Sequence, residues 1–145
     1  YNFLTQPFAA KMVILLGLLW RWTGYNMVFF LSGLQNIEYS VYEAAKIDGA
    51  SAIQTFFKIT VPLLKPTILL TAIMSTNGTL QLFDESINLT DGGPANASIS
   101  MSHYIYNLCF KYVPNFGYAA AMSFFILLLV AVLAFIQMRV GDKRD

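Results

Sequence analysis

An all-α, polytopic integral membrane protein is the fold class this sequence predicts, and three observations carry that expectation. Of its 145 residues, 57% are hydrophobic and only 12% charged, with a mean hydropathy of +0.56; a soluble domain of this length is rarely so apolar. Three windows approach the roughly 20 apolar residues that cross a hydrocarbon core. The basic residues of the connecting segments are also one-sided. Lys46, Lys58, Lys65, Arg139, Lys143 and Arg144 fall on one side of the windows and Lys111 alone on the other. Basic loops favour the cytoplasm, so the first loop and the C-terminus are expected there, and three spans make that parity consistent. A net charge of +1 gives no global basic field for nucleic acid. The one cysteine, Cys109, has no internal disulfide partner, and no Cys/His ligand spacing suggests a metal.

The opening residues, "YNFLTQPF", lack the basic region and cleavage site of a signal peptide and do not begin with methionine. The chain is therefore expected to be the C-terminal part of a longer protein, starting on the outer face. The first span, residues 7–34, contains Lys11 near one end, which can snorkel, and Arg21 near its centre, which cannot do so easily. Arg21 is a functional-site candidate by default. A local kink after Gly24 would turn it towards a cavity, or it would pair with Asp84 or Glu85.

Residues 35–65 form the expected cytoplasmic loop. Within it "YSVYEAAKI", residues 39–47, favours a short helix, with Ser40 as cap and Glu43 completing a capping box. Asp48 and Gly49 break it, Gly49 being able to take positive φ. A second helix starts at Ser51 and runs until Pro62 and Pro66 introduce the next span. Two short helices with an elbow, presenting Glu43, Lys46 and Asp48 beside Tyr42, Phe56 and Phe57, have the mixed composition of a docking surface. An interfacial amphipathic segment would read the same way.

The middle span, residues 66–89, is the most polar and needs shielding by other helices. An external loop, residues 90–117, follows, with the turn-rich "TDGGPANAS" and a short helix around "MSHYIYNLCF". The last span, residues 118–138, holds no charge and ends in the basic tail "RVGDKRD". In the outer loop His103 and Cys109 are expected to be structural. The Asn-x-Ser/Thr patterns at Asn77, Asn88 and Asn96 are weak signals.

The run from Glu43 to Pro66, "EAAKIDGASAIQTFFKITVPLLKP", resembles the EAA signature of binding-protein-dependent ABC importer permeases. Glu43, Ala44 and Ala45, then Asp48, Gly49 and Ala50, then Phe57, Ile59, Pro62 and Pro66 stand at the family spacing. "LSGLQNI" leads into it, although Glu38 replaces the usual proline, a change expected to lengthen the first helix. "FDESINLTDGGPANAS" and "YIYNLCF…FGYAAAMSF" resemble stretches typical of the carbohydrate-importer branch, of sugar and glycerol-phosphate type. The resemblance covers essentially the whole chain. It implies the last three helices of a six-helix type I permease core and a coupling loop that lies in a groove on a cytoplasmic ATPase, with Glu43 facing a basic residue there. It also implies a second permease subunit, a solute-binding protein outside, and ATP bound only by the partner.

The middle span carries a further pattern. Thr67, Thr71, Ser75 and Thr79 recur every four residues, with Gly78, Asn77 and Gln81 beside the outer half. Such a stripe is either helix–helix glue or part of a solute path, where hydroxyls and amides match sugar hydroxyls. The resemblance favours a path through Tyr25, Ser75, Gly78, Thr79 and Leu82.

A membrane enzyme would need a catalytic set at the interface, and no nucleotide loop, HExxH or nucleophile elbow is present. A transport subunit without its own ATPase site is the expected function. The solute is a carbohydrate or polyol, with glycerol phosphate or another small polar solute as the alternative and a non-transport scaffold as the remaining class.

Overall fold

The computed structural model describes residues 5–141. The basic tail residues Lys143 and Arg144, and residues 1–4, lie outside the described residues. All regular structure among the described residues is helical, as the composition and the span-length apolar windows predict.

Helix α1 spans Pro7–Gln35 with proline in its first turn, where the missing N–H would have had no partner. At about 1.5 Å per residue it is long enough to cross a bilayer with tilt. Arg21 stands at its midpoint. The helix stops at Gln35, and Glu38 leads into α2, Tyr39–Ile47. Glu38 therefore does not lengthen the first helix. Its φ of −62° is the value a proline would impose, so the backbone keeps the geometry of the residue it replaces. Ser40 is not the cap either. Glu38 occupies that position, and the Ser40 hydroxyl donates to the Glu38 carboxylate at 3.2 Å.

After the elbow, α3 (Ala52–Thr55) continues through a π-helical turn, Phe56–Thr60, into α4, Val61–Leu63. Pro62 accounts for the widened turn. Its ring crowds the carbonyl four residues back and it has no N–H to donate; Val61 instead reaches the Phe56 carbonyl. At Leu64 the path bends by 65° into α5, Lys65–Leu80.

The span expected over 66–89 is not one continuous helix. α5 ends at Leu80, Gln81–Phe83 leave the helix, and the chain winds again as a π turn at Ser86–Thr90. Asn77, Gly78 and Thr79 are poor helix formers, and the Gln81 amide folds back onto Asn77 Oδ1 at 2.7 Å. The external loop carries α6, Met101–Tyr106, which runs on as a π turn over Asn107–Lys111. The last helix, α7, spans Phe116–Gly141. Among the described residues two helices, α1 and α7, are long and apolar enough to cross a membrane; the bent run Ala52–Leu80 makes a third if it is counted as one span.

α5 is central, packed by α1 on one side and α7 on the other. Small residues permit the approach. A methyl at Gly33 of α1 would lie 2.9 Å from both Leu64 and Thr67, and one at Gly141 of α7 would lie 2.6 Å from Leu69. Few side chains are buried, and large apolar ones such as Leu16, Trp20, Phe124 and Phe135 stay exposed on α1 and α7, as suits helices meeting lipid or other helices rather than water.

Candidate functional site

The loop between α2 and α3 is closed by local bonds. Gly49 has φ +73°, a left-handed conformation that side-chain-bearing residues adopt only with strain. Its N–H donates to Lys46 O at 3.1 Å and the Ala50 N–H donates to Ala45 O at 2.9 Å. This pair of bonds is the Schellman closure of a helix end. Two residues later Ser51 opens α3 with a full capping box: the Gln54 N–H donates to Ser51 Oγ at 3.3 Å, and the Ser51 N–H donates to Gln54 Oε1 at 2.9 Å. The capping box is therefore present, but on the second helix rather than at Ser40.

Ala45 is buried inside the elbow, and the Tyr42 hydroxyl meets Thr60 Oγ1 at 3.3 Å across it. Lys46 sits in the last turn of α2, where a cation suits the helix dipole. Glu43, Ala44, Asp48, Phe57 and Pro62 are exposed, and Ala50 half-buried. Ile47 and Ile53 are exposed by 86% and 71%. The elbow thus offers acidic and apolar side chains together on a turn closed by local bonds.

The polar stripe on α5 divides by level. Thr71 is buried, and its hydroxyl donates to its own helix at Thr67 O and Ile68 O, 2.9 and 3.0 Å away. It acts as packing. Ser75 is bonded across the seam to Asn26 of α1, whose Nδ2 donates at 3.1 Å. Gly78 lies under the Trp22 ring, which a methyl there would penetrate. Tyr25 is exposed and packs edge-on against Trp22, ring centres 5.5 Å apart. Ser75 and Thr79 line one open groove of about 390 Å³ with Thr76, Leu80 and Leu133. Tyr25 and Leu82 do not line it. The structure therefore brings Ser75 and Thr79 to one groove, and Tyr25 and Gly78 each against Trp22.

Three partners are not legible in the sequence: Asn26, Trp22, and Gln137 of α7, whose amide donates to Thr76 Oγ1 at 2.8 Å. A polar residue inside an apolar window was the available signal for Asn26 and Gln137; nothing marked Trp22. Of the two acids open to Arg21, Glu85 is the partner, at 2.9 Å, and the guanidinium also lies 5.4 Å from the Trp22 ring centre.

A second buried cluster ties the external loop. Ser86 and His103 are fully buried, with Ser86 Oγ 2.9 Å from His103 Nδ1. The same hydroxyl donates to Ser98 O at 2.9 Å and accepts from the Ser100 N–H at 3.2 Å. Asp91 stands 3.8 Å from His103 Nε2 and bridges to Lys111 at 3.0 Å. Burial pushes the His103 pKa below its ordinary value; Asp91 opposes that shift and Lys111 adds to it. The Ser–His–Asp order is that of a hydrolase triad, but the Ser86 oxygen is sealed and already bonded to the loop backbone, so no substrate carbonyl can reach it.

Comparison with known proteins fits this architecture. Residues 2–144 match the family described as binding-protein-dependent transport system inner membrane component. The chain belongs to that family. It is 55% identical, over 99% of its length and 49% of the relative's, to the lactose transport system permease protein LacF of Rhizobium radiobacter. To the trehalose/maltose transport system permease protein MalF of Thermococcus litoralis it is 36% identical, covering 99% of this chain and 48% of that one. A crystal structure of a bacterial ABC transporter involved in import of the acidic polysaccharide alginate contains a similar chain, with TM-score 0.81 and 25% identity over 97% of this chain and 49% of that one. The chain spans about half the length of these relatives. The family and the helices make it part of a multi-pass membrane protein.

Proposed function

We propose that this chain contributes the coupling loop and part of the solute path to a permease subunit of an ATP-driven carbohydrate importer. The observation that carries the reading is the elbow, in which a Schellman closure at Gly49 abuts a capping box at Ser51 and Glu43 stands exposed on α2. An element whose turn and cap are closed by local bonds moves as a rigid body, which is what a handle pushed by a closing ATPase requires. The likeness to LacF and MalF supports a sugar as solute. So does the pairing of Arg21 with Glu85. With that charge matched, hydroxyls and amides remain, which suit a neutral polyhydroxylated solute better than a phosphate ester.

In this reading the elbow and the C-terminus face the cytoplasm, ATP is bound by partner ATPase subunits, and the outer loops meet a second permease subunit and a solute-binding protein. The test is Glu43→Lys in the complete transporter. Membrane insertion should be normal, while ATPase co-purification and uptake fall about tenfold or more, as when one member of a desolvated charge pair is reversed. Normal co-purification with normal uptake would sink the reading.

A further inference from the structure

α1 and the segment opposite it are in two different registers. Gly33 faces Thr67, Asn26 faces Ser75 and Trp22 faces Gly78, so eleven steps up α1 correspond to eleven along α5. The next residue of α1, Arg21, meets Glu85, seven residues beyond Gly78. Above it Gly17 faces both segments of the next turn: a methyl there would lie 4.0 Å from Glu85 Cγ and 3.4 Å from Leu89 Cδ1. The chain from Gly78 to Glu85 is thus longer than the piece of α1 between Trp22 and Gly17 that it faces, and Gln81–Phe83 leave the helix at that level, next to Thr79.

The ion pair sits where the registers change. Arg21 stacks on Trp22, which rests on Gly78 in the lower register, while its guanidinium grips Glu85 in the upper. Glu85 is 11% exposed, and its second oxygen, like Trp22 Nε1, is buried without a partner. A buried carboxylate with one free oxygen is costly unless its other bond is kept.

We infer that Arg21 and Glu85 are a positioning pair: their bond fixes where the residues between Gly78 and Glu85 stand against α1, and so sets Thr79 and Leu82 for the solute. The inference rests on the transport reading above and deepens it. Neither charge touches solute; each acts through the other.

The test uses the complete transporter in liposomes. Arg21→Gln and Glu85→Gln should each raise the KM for solute about tenfold, the scale of a small misplacement at a binding site, with complex yield and basal ATP hydrolysis unchanged. The swapped Arg21→Glu/Glu85→Arg protein should restore KM to within a few-fold of the parent. A raised KM for Arg21→Gln beside a normal one for Glu85→Gln would make Arg21 a solute contact and overturn the inference, as would failure of the swap.

If the single variants assemble poorly, cysteines at Gly17 and Leu89, in a Cys109→Ala background, give a second measurement with a short thiol crosslinker in membranes. Yield should drop several-fold in Glu85→Gln and return in the swap; an unchanged yield in Glu85→Gln overturns the pair. Parent liposomes without ATP-dependent uptake would count against the transport reading alone, since the crosslink does not depend on it.

Discussion

Two breaks in the helical path, at Gly49 and at Gln81–Phe83, are held in different ways. At Gly49 the turn is closed by bonds within a few residues, to Ala45 and Lys46 behind it and between Ser51 and Gln54 ahead of it. Between α5 and the π turn the backbone is also closed nearby, Gln81 N–H donating to Asn77 O and Leu82 N–H to Thr79 O, but the flanking Ser75 and Glu85 side chains bond across to α1, and two buried polar atoms, on Trp22 and Glu85, have no partner. A break satisfied locally keeps its shape when the rest of the molecule shifts. A break satisfied from across a helix seam changes when the seam does. The first suits transmission of force and the second suits a site that must alternate.

The sharpest way to break this contrast is Gly49→Val. A β-branched residue at φ +73° costs roughly 1–3 kcal/mol in strain and should release the elbow. ATP-driven uptake should fall more than tenfold while membrane insertion persists, and Gly49→Asn, tolerant of the left-handed region, should keep most of it. Equal uptake in the two variants would show that the elbow need not be rigid.

The seam answers to Gly78→Ala. The added methyl meets the Trp22 ring, an overpacking worth about 1–3 kcal/mol, so the thermal midpoint and uptake should both drop. Trp22→Ala in the same chain should recover the midpoint but not the uptake.

A smaller effect concerns the external cluster. Because burial lowers the His103 pKa from 6.5, the folded protein favours the neutral ring. That contribution is complete above about pH 6.5 and is lost as pH falls towards the depressed folded value. Thermal unfolding from pH 7.5 to 5 should show the loss, and His103→Gln should flatten the slope. The smallest effect is expected from Ser75→Ala with Thr79→Val. Uptake should persist, at about 1 kcal/mol per lost hydrogen bond, with a changed preference among sugars; unchanged preference would make both residues packing.

How much of this was legible in the sequence follows from the same contrast. The elbow obeys rules a few residues long, so Gly49 and Ser51 could be read directly. Ser40 misled because a serine three residues before a glutamate also occurs inside a helix, and Glu38 with proline-like φ had already begun it. The span drawn over 66–89 ran through the end of α5, since apolar composition averages over a break. Ser75 with Asn26, Arg21 with Glu85 and Ser86 with His103 were out of reach as assignments, because each is decided by which distant segments meet.

Sequence separation also sets an order of assembly. The turn and cap bonds of the elbow close over at most five residues and the Tyr42–Thr60 bond across it over 18, whereas Ser75 and Asn26 are 49 apart. Short loops close in well under a microsecond and long ones carry a larger entropic toll. As the chain emerges during synthesis, the elbow can form as soon as its own residues are free, before α5 exists to pack on α1. A newly made chain would therefore carry a finished elbow while its transmembrane seam is still open, and damage to the seam would leave that elbow intact and exposed.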